Sequence, residues 1–463
     1  MFAPAAIDLE GIKPIKVQPS EPRSLELCDQ ERDIWIKWTE LNKLGQHVGF
    51  VKEWKRIPNV LHAETIIRDA MQRELIPPSR DIEVANFDGG AFHALFKLTL
   101  PDWDTKNVIL RIPLPCDPWY KMESEVANMV FAAYHGVPVP RCLYFDSSAK
   151  NPYALEWMII ELVEEAATLD AQQFSETYQG RLRLFNPILP QGYDLLNEIK
   201  ENLQKLERTR FSEIGSLYCN WEANSFYVGP IVDGEFHGKY TYLLSLGRRG
   251  PFKTVEEYLG NILEVRRRAK FNRAKYLKNK KACFGEEEVA KNTFIYGEDV
   301  LHQFTAVASA YDQTKVASED DGPINGSWTY LQHDDLHASN ILIKNGKIEA
   351  ILDWEKCNIL PPFLRKNHGV PNVNNAFIRS YFPPAIFSED AMAVVPPEHR
   401  DSLPTRDIVV KLLPAPQHVD PLSTVLRLLA THVRKSDLLG NQNEEWVKTL
   451  DELSEWFLLH TPK

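Results

Sequence analysis

The sequence has no Cys-x-x-Cys pair: its six cysteines, Cys28, Cys116, Cys142, Cys219, Cys283 and Cys357, are scattered through 463 residues. That spacing excludes the usual zinc motifs and a disulfide framework, and a reducing compartment is the expected setting. No apolar run approaches the roughly 20 residues that a membrane-crossing helix needs. The opening stretch Met1 to Glu10 lacks the basic start and apolar core of a secretory signal, and Asp8 and Glu10 speak against mitochondrial import. A soluble, cytoplasmic protein is therefore expected. Basic residues are in deficit, with 53 Lys and Arg against 64 Asp and Glu and a net charge of -11, so neither nucleic acid nor an anionic membrane is an expected partner. Internal repeats are absent too. Apolar residues, by contrast, are ample: 44% hydrophobic and 11% aromatic residues can build sizeable cores. At about 150 residues per domain the length suggests two or three domains.

The most informative stretch runs from His333 to Glu355 and reads HDDLHASNILIKNGKIEAILDWE. Asn345-Gly346 separates two short apolar runs, a pair that favours the two-residue turn whose positive φ angles match hairpin twist. Pairing outward from the turn sets Lys344 opposite Lys347 and Ile341 opposite Ala350. Asn340 and Asp353 then emerge together at the open end, with Asp335 on the loop that enters it. Two carboxylates and an amide oxygen at one point suit Mg²⁺, which takes oxygen ligands and is commonly held by one or two carboxylates plus substrate phosphates. His333, Asp334, Asp335 and His337 also admit a second reading, as the metal cluster of a hydrolase. Metal-binding His pairs usually share a helix face, however, and Leu336 with the following hairpin argues against a helix. His333 and His337 are better read as residues that fix the shape of the loop.

His-x-Asp-x-x-x-x-Asn, a hairpin, then Asp is the layout of a kinase catalytic segment. Ending in Asp353-Trp354-Glu355, this version resembles the aminoglycoside phosphotransferase family, and within it the fungal branch. The resemblance covers roughly residues 81 to 370. It implies an α+β, two-lobed, protein-kinase-like fold with a small β-rich N-terminal lobe and a larger, mostly helical C-terminal lobe. On that pattern residues 1–80 form an N-terminal helical extension, 81–165 the nucleotide-binding lobe and hinge, and 166–463 the large lobe.

Upstream, Phe87-Asp88-Gly89-Gly90-Ala91-Phe92-His93 reads as a glycine turn between strands. Glycines at such a turn let backbone N–H groups approach phosphate oxygens. Gly89, Gly90, Ala91, Phe92 and His93 are the expected phosphate loop, His93 standing where fungal relatives often carry Asn. Asn107 to Pro113 is the next strand, and its Arg111 is a cation in an apolar run that needs a partner. The resemblance makes Arg111 the phosphate-positioning cation, paired with a Glu on the following helix, about Lys121 to Tyr134. Glu123 and Glu125 both flank the apolar stripe of that helix, so periodicity cannot choose between them; resemblance favours Glu125. The resemblance makes Trp157 to Val163 the hinge strand, with Glu161 to Val163 offering main chain to the nucleobase.

In the remainder, Glu31 to Leu44 reads as an amphipathic helix on the spacing of Ile34, Trp38 and Leu41, and Tyr193 to Leu206 as a helix with a core stripe. Phe211 to Tyr218, Phe226 to Pro230 and Gly250 to Phe252 resemble the insertion of fungal relatives, which implies a hairpin and a wall of the substrate cleft. The basic run Arg266 to Lys281 reads as the solvated face of a long helix begun near Thr254, and two C-terminal helices follow a proline-rich stretch. By resemblance, Asp335 orients and deprotonates the acceptor, Asn340 and Asp353 hold Mg²⁺, and ATP, with GTP as the alternative, donates a phosphoryl group to a small hydroxylated molecule. The rival from another class is a nucleotide-binding pseudokinase or scaffold without turnover. The acceptor and the oligomeric state have no signature in the sequence.

Overall fold

The computed structural model describes residues 7–22, 34–43, 46–87, 89–90, 92–169, 190–232, 249–265, 322–324, 328–336, 338–361 and 364. It is a mixed α/β structure whose N-terminal half is built on a six-stranded sheet in the order β1-β7-β8-β6-β5-β4. These strands are β1 (Ile15–Lys16), β4 (Glu83–Asn86), β5 (His93–Thr99), β6 (Asn107–Pro113), β7 (Cys142–Asp146) and β8 (Trp157–Glu161). Neighbours are antiparallel except β1, which adds in parallel to β7.

Strand alternation explains how the sheet separates its two faces. Ala94, Phe96 and Leu98 of β5, Val108, Leu110 and Ile112 of β6, and Trp157 and Ile159 of β8 all enter one core. There they meet Ala63, Ile66, Ile67 and Ala70 of helix α1 (Val60–Gln72). Burying each such isoleucine is worth roughly 1.5–3 kcal/mol, which is what holds the helix to the sheet. Asn59 caps α1: its side chain accepts from the His62 N–H at 3.1 Å, and His62 reaches back to the Asn59 backbone. The opposite parity puts Arg111 and Met158 on the other face, which helix α2 (Tyr120–Tyr134) covers with Met122, Val126, Met129 and Val130.

α2 ends as its sequence dictates. Gly136 takes φ +75°, where a side chain would be strained, and the N–H groups of Gly136 and Val137 donate to Ala133 and Ala132. This is a Schellman close, and Pro138 and Pro140 beyond it forbid another turn. The second core continues past α2 into the rest of the chain. It takes in α3 (Pro190–Leu206), the hairpin β10 (Ser216–Asn220) and β11 (Ser225–Gly229), and the hairpin β13 (Ile341–Lys344) and β14 (Lys347–Ile351). β9 (Ala167–Thr168) pairs with β13, and β12 (Tyr330–Gln332) with β15 (Asn358–Leu360). A helix α4 covers 255–265.

Two expectations are corrected. Residues 36–43 are not helical: β2 (Ile36–Lys43) pairs antiparallel with β3 (Gln46–Trp54), register Ile36↔Trp54 to Lys43↔Gln46. Spacing of three and four in a short segment fits a strand as well as a helix, and the neighbouring β-forming run decides. β1 likewise brings residues assigned to a separate helical extension into the main sheet. The basic run 266–281, the proline-rich stretch after residue 364, the C-terminal helices, Ala91 and His337 lie outside the described residues.

Candidate active site

The β13–β14 hairpin forms around its expected turn. Asn345 and Gly346 adopt φ +52° and +75°, and Lys344 stands opposite Lys347. Its register then shifts by one residue between Leu342 and Ile343, so Ile341 faces Ile351 and Leu342 faces Ala350, instead of Ile341 facing Ala350. An irregularity of this kind re-aims the residues at a strand end, which is where Asn340 and Asp353 lie.

Asn340 ties the two sides of the open end together. Its side-chain amide nitrogen donates to the Asp335 main-chain carbonyl at 2.9 Å, and its main-chain carbonyl accepts from the Leu352 N–H at 2.8 Å. Because a carbonyl only accepts, the carboxamide must turn its NH₂ to Asp335, which points its oxygen the other way. His333 Nε2 donates to the Leu352 carbonyl at 2.8 Å, and the ring packs edge-on against Trp354. Burial holds His333 below its ordinary pKa, so it is a neutral residue that shapes the loop, as its sequence context suggests. Asp353 adopts the left-handed conformation, φ 63° and ψ 58°, a strain of about 1–3 kcal/mol that aims its carboxylate back toward β6.

There it meets Arg111. The Arg111 guanidinium lies 2.6 Å from Glu125 Oε1, 3.1 Å from Asp353 Oδ1 and 2.8 Å from His93 Nε2. The choice that periodicity left open therefore falls to Glu125. Glu123 turns away, to Lys16 and Trp221.

The site contains two residues that the sequence reading did not assign. Glu355, buried at the end of Asp-Trp-Glu, pairs with Lys121 Nζ at 2.5 Å and lies 2.9 Å from His93 Nε2. Lys121 stands one helical turn before Glu125, and that spacing of four is the signal that could have found it. Asn128 Nδ2, a further turn along α2, donates to the Trp354 carbonyl at 3.0 Å. His93, Arg111, Lys121, Glu125, Asp353 and Glu355 thus cross-link β5, β6, α2 and the turn after β14. Burial alone would lower the Lys121 ammonium and raise the Glu355 carboxyl, but their mutual attraction wins, leaving Lys121 above and Glu355 well below the ordinary value. Burial, then the charge of Arg111, holds the His93 imidazole down at about 4. Burial pushes Glu125 up to about 7 against the pull of Arg111.

His93, Glu125 and Glu355 stand close enough to share a metal ion. Arg111 and Lys121 already supply cations to that cluster, which makes it an ion-pair network and not a metal centre. Asn340 and Asp353, the expected metal ligands, carry oxygen donors of the kind a hard divalent cation takes.

The other expected residues separate into loop and hinge. Gly89 and Gly90 lie exposed between β4 and β5; a Cβ at Gly89 would come within 3.1 Å of the His93 carbonyl, whereas one at Gly90 would meet nothing. Phe92 accepts from the Leu114 N–H at 2.7 Å and packs partly into the sheet core. At the end of β8, the Glu161 N–H donates to the Arg141 carbonyl at 2.9 Å, so that donor is already used, and its side chain pairs with Arg141. Val163 follows the strand, half-buried. Lys344, at the hairpin tip, donates to the Glu164 carbonyl at 3.3 Å and pins the hairpin beside the chain that follows β8.

No family model matches the chain. Two curated Aspergillus fumigatus relatives, each a subtelomeric hrmA-associated cluster protein, are 26% identical over 337 residues, or 64% of this chain. The chain spans 61% of the length of those relatives. Similar solved structures are small-molecule phosphotransferases and kinases. They include aminoglycoside phosphotransferase APH(4)-Ia in complex with AMP-PNP and hygromycin B (13% identity, TM-score 0.34, covering 83% of this chain and 98% of that one). Others are macrolide 2'-phosphotransferase type I (12%, 0.33, 85% and 97%) and the choline kinase of Cryptosporidium parvum (14%, 0.31, 86% and 94%). Likeness at these TM-scores carries no weight for function; the geometry of the site does. Among the described residues no helix is long and apolar enough to cross a membrane.

Proposed function

We propose that this protein is a small-molecule kinase that moves the γ-phosphoryl group of ATP to a hydroxyl of its acceptor. The observation that carries the reading is the position of Arg111, which touches both Glu125 on α2 and Asp353 after the hairpin. A cation that joins a helix glutamate to a metal-binding aspartate is what a kinase site needs to hold phosphates in line.

In this reading Asp335 accepts the proton of the acceptor hydroxyl, and Asn340 with Asp353 holds Mg²⁺. The ion supplies neutralisation of phosphate charge when bound. Arg111 presents a planar fork of donors to phosphate oxygens, a role that a lysine fills as a point charge. Phosphoryl transfer has a loose transition state, so positioning and charge complementarity provide most of the rate. Gly89 lets the backbone of the β4–β5 turn approach the phosphates, and the chain after Glu161 borders the nucleobase. A cytoplasmic setting belongs to the same reading, and the four described cysteines are buried.

The test is Mg²⁺-dependent consumption of ATP and of GTP across a panel of hydroxylated acceptors, beside Asp335→Ala and Asp353→Ala. Acceptor-stimulated turnover in the wild type, lower by at least about 10³-fold in each variant, is the expected result. A second reading, a nucleotide-binding scaffold, is favoured by His93 in the place where fungal relatives often carry Asn and by Arg111 in the place of the usual lysine, since the two cations are not interchangeable in reach or geometry. It predicts a nucleotide-induced thermal shift with no turnover on any acceptor. Absence of both binding and turnover sinks both readings.

A further inference from the structure

Outside the site, among the described residues, a buried polar cluster lies on the far flank of α2. Successive helix residues turn by about 100°, so Glu123 and Glu125 point in nearly opposite directions. Glu125 meets Arg111; Glu123, buried to 3% exposure, enters a seat made wholly by other segments. Lys16 of β1 pairs with it at 2.7 Å, the Trp221 indole N–H donates to it at 3.0 Å, and the Ser147 hydroxyl donates to it from the end of β7.

Lys16 belongs to a strap, residues 7–20, that crosses α2 from hairpin to sheet. At one end the Ile7 N–H donates to the Asn224 carbonyl at 2.9 Å, and Lys13 reaches Asn224 Oδ1 at 2.6 Å, both in the β10–β11 turn. In the middle Leu9 is buried, at 1% exposure, in the core that holds Met122, Val126 and Val130. At the other end β1 pairs with β7, and the Gln18 amide donates to Asp146 at 3.1 Å. Ser20 accepts from the Trp119 indole at 3.1 Å, just before α2, where Trp119 supplies no side-chain cap of its own. The N-terminus of the helix that carries Glu125 is thus held by contacts from other segments.

We propose that the N-terminal strap is a positioning element, which sets the rotation of α2 through Lys16 and Glu123 and so keeps Glu125 on Arg111. A helix turns as one body; a fixed Glu123 leaves Glu125 only one place to point. Lys16 touches no reacting group, and its effect on nucleotide passes through the helix. That effect rests on the phosphoryl-transfer reading, whereas the hold on α2 does not.

The experiment compares full-length wild type with Lys16→Met and Lys16→Arg by two readouts. These are amide hydrogen exchange in residues 120–134, and affinity for a non-hydrolysable ATP analogue with Mg²⁺. In Lys16→Met, exchange in 120–134 should rise while the 341–351 hairpin stays protected, affinity should fall about tenfold, and Lys16→Arg should restore both. Should Lys16→Met fail to fold, Glu123→Gln, which removes the charge and keeps the hydrogen-bonding shape, takes its place with the same expectation. Unchanged exchange in 120–134 overturns the proposal. Faster exchange with wild-type affinity overturns its functional half. Wild-type protein with no nucleotide affinity overturns the phosphoryl-transfer reading, and exchange alone then decides whether the strap holds the helix.

Discussion

Arg111 is the residue on which most of the site converges, and its neighbours define what it is worth. Its guanidinium serves Glu125, Asp353 and His93 from a strand whose other face is fully apolar. Removing one member of a buried ion pair leaves the other charge without its counterion and costs about 3–5 kcal/mol, while replacing both by apolar groups is often near neutral. Arg111→Met should therefore destabilise the fold by roughly 3 kcal/mol in urea titration, and Arg111→Met with Glu125→Met should recover a large part of that loss. A double variant that loses the sum of the separate Arg111→Met and Glu125→Met losses would mean that the Arg111–Glu125 contact contributes no coupling. The sequence made Arg111 conspicuous because a cation in an apolar run must be paired. It could not reveal His93, Lys121 and Glu355 as one network, since they sit on separate elements and only the folded sheet, helix and turn bring them together.

Elements were legible where a local signal was strong. The β13–β14 turn, the α2 close at Gly136 and the strands around Arg111 all follow from residues adjacent in sequence. β2 was misread because Ile34, Trp38 and Leu41 fit a helical period, and its pairing with β3 is a contact between segments that periodicity does not see. The hairpin register was off by one residue because the irregularity between Leu342 and Ile343 has no marker such as glycine. The turn itself gives a test confined to one element. Gly346 has φ +75° and open space where a Cβ would stand, so Gly346→Ala meets a backbone penalty and no clash. It should cost about 1 kcal/mol by denaturant unfolding. Because Asn340 and Asp353 lie at the far end of the hairpin, kcat should change little; a large loss of activity with unchanged stability would mean that the turn acts directly in the reaction.

Across the whole molecule, the buried network makes stability depend on pH through His93. A single ring nitrogen, Nε2, lies 2.8 Å from the donor-only Arg111 and 2.9 Å from the acceptor-only Glu355. A neutral imidazole can satisfy one of these at a time. Burial and Arg111 hold its pKa at about 4, below the ordinary 6.5, so the folded state resists a proton that the unfolded chain accepts. The contribution of His93 is thus complete above pH 6.5 and is lost as pH falls from there through about 4. Glu125, pushed up to about 7, works in the opposite direction, taking up a proton in the fold before the unfolded chain does. His93→Gln keeps a donor and an acceptor in the same place and removes the titration, while Glu125 remains in both proteins and its effect largely cancels in their difference. Urea unfolding at a series of pH values should therefore show wild type losing about 3 kcal/mol relative to His93→Gln between those limits. Parallel curves would mean that His93 takes up its proton as readily in the folded state as in the unfolded chain. The Glu355 carboxylate would then hold the imidazolium, and Arg111 would have only carboxylates to bind.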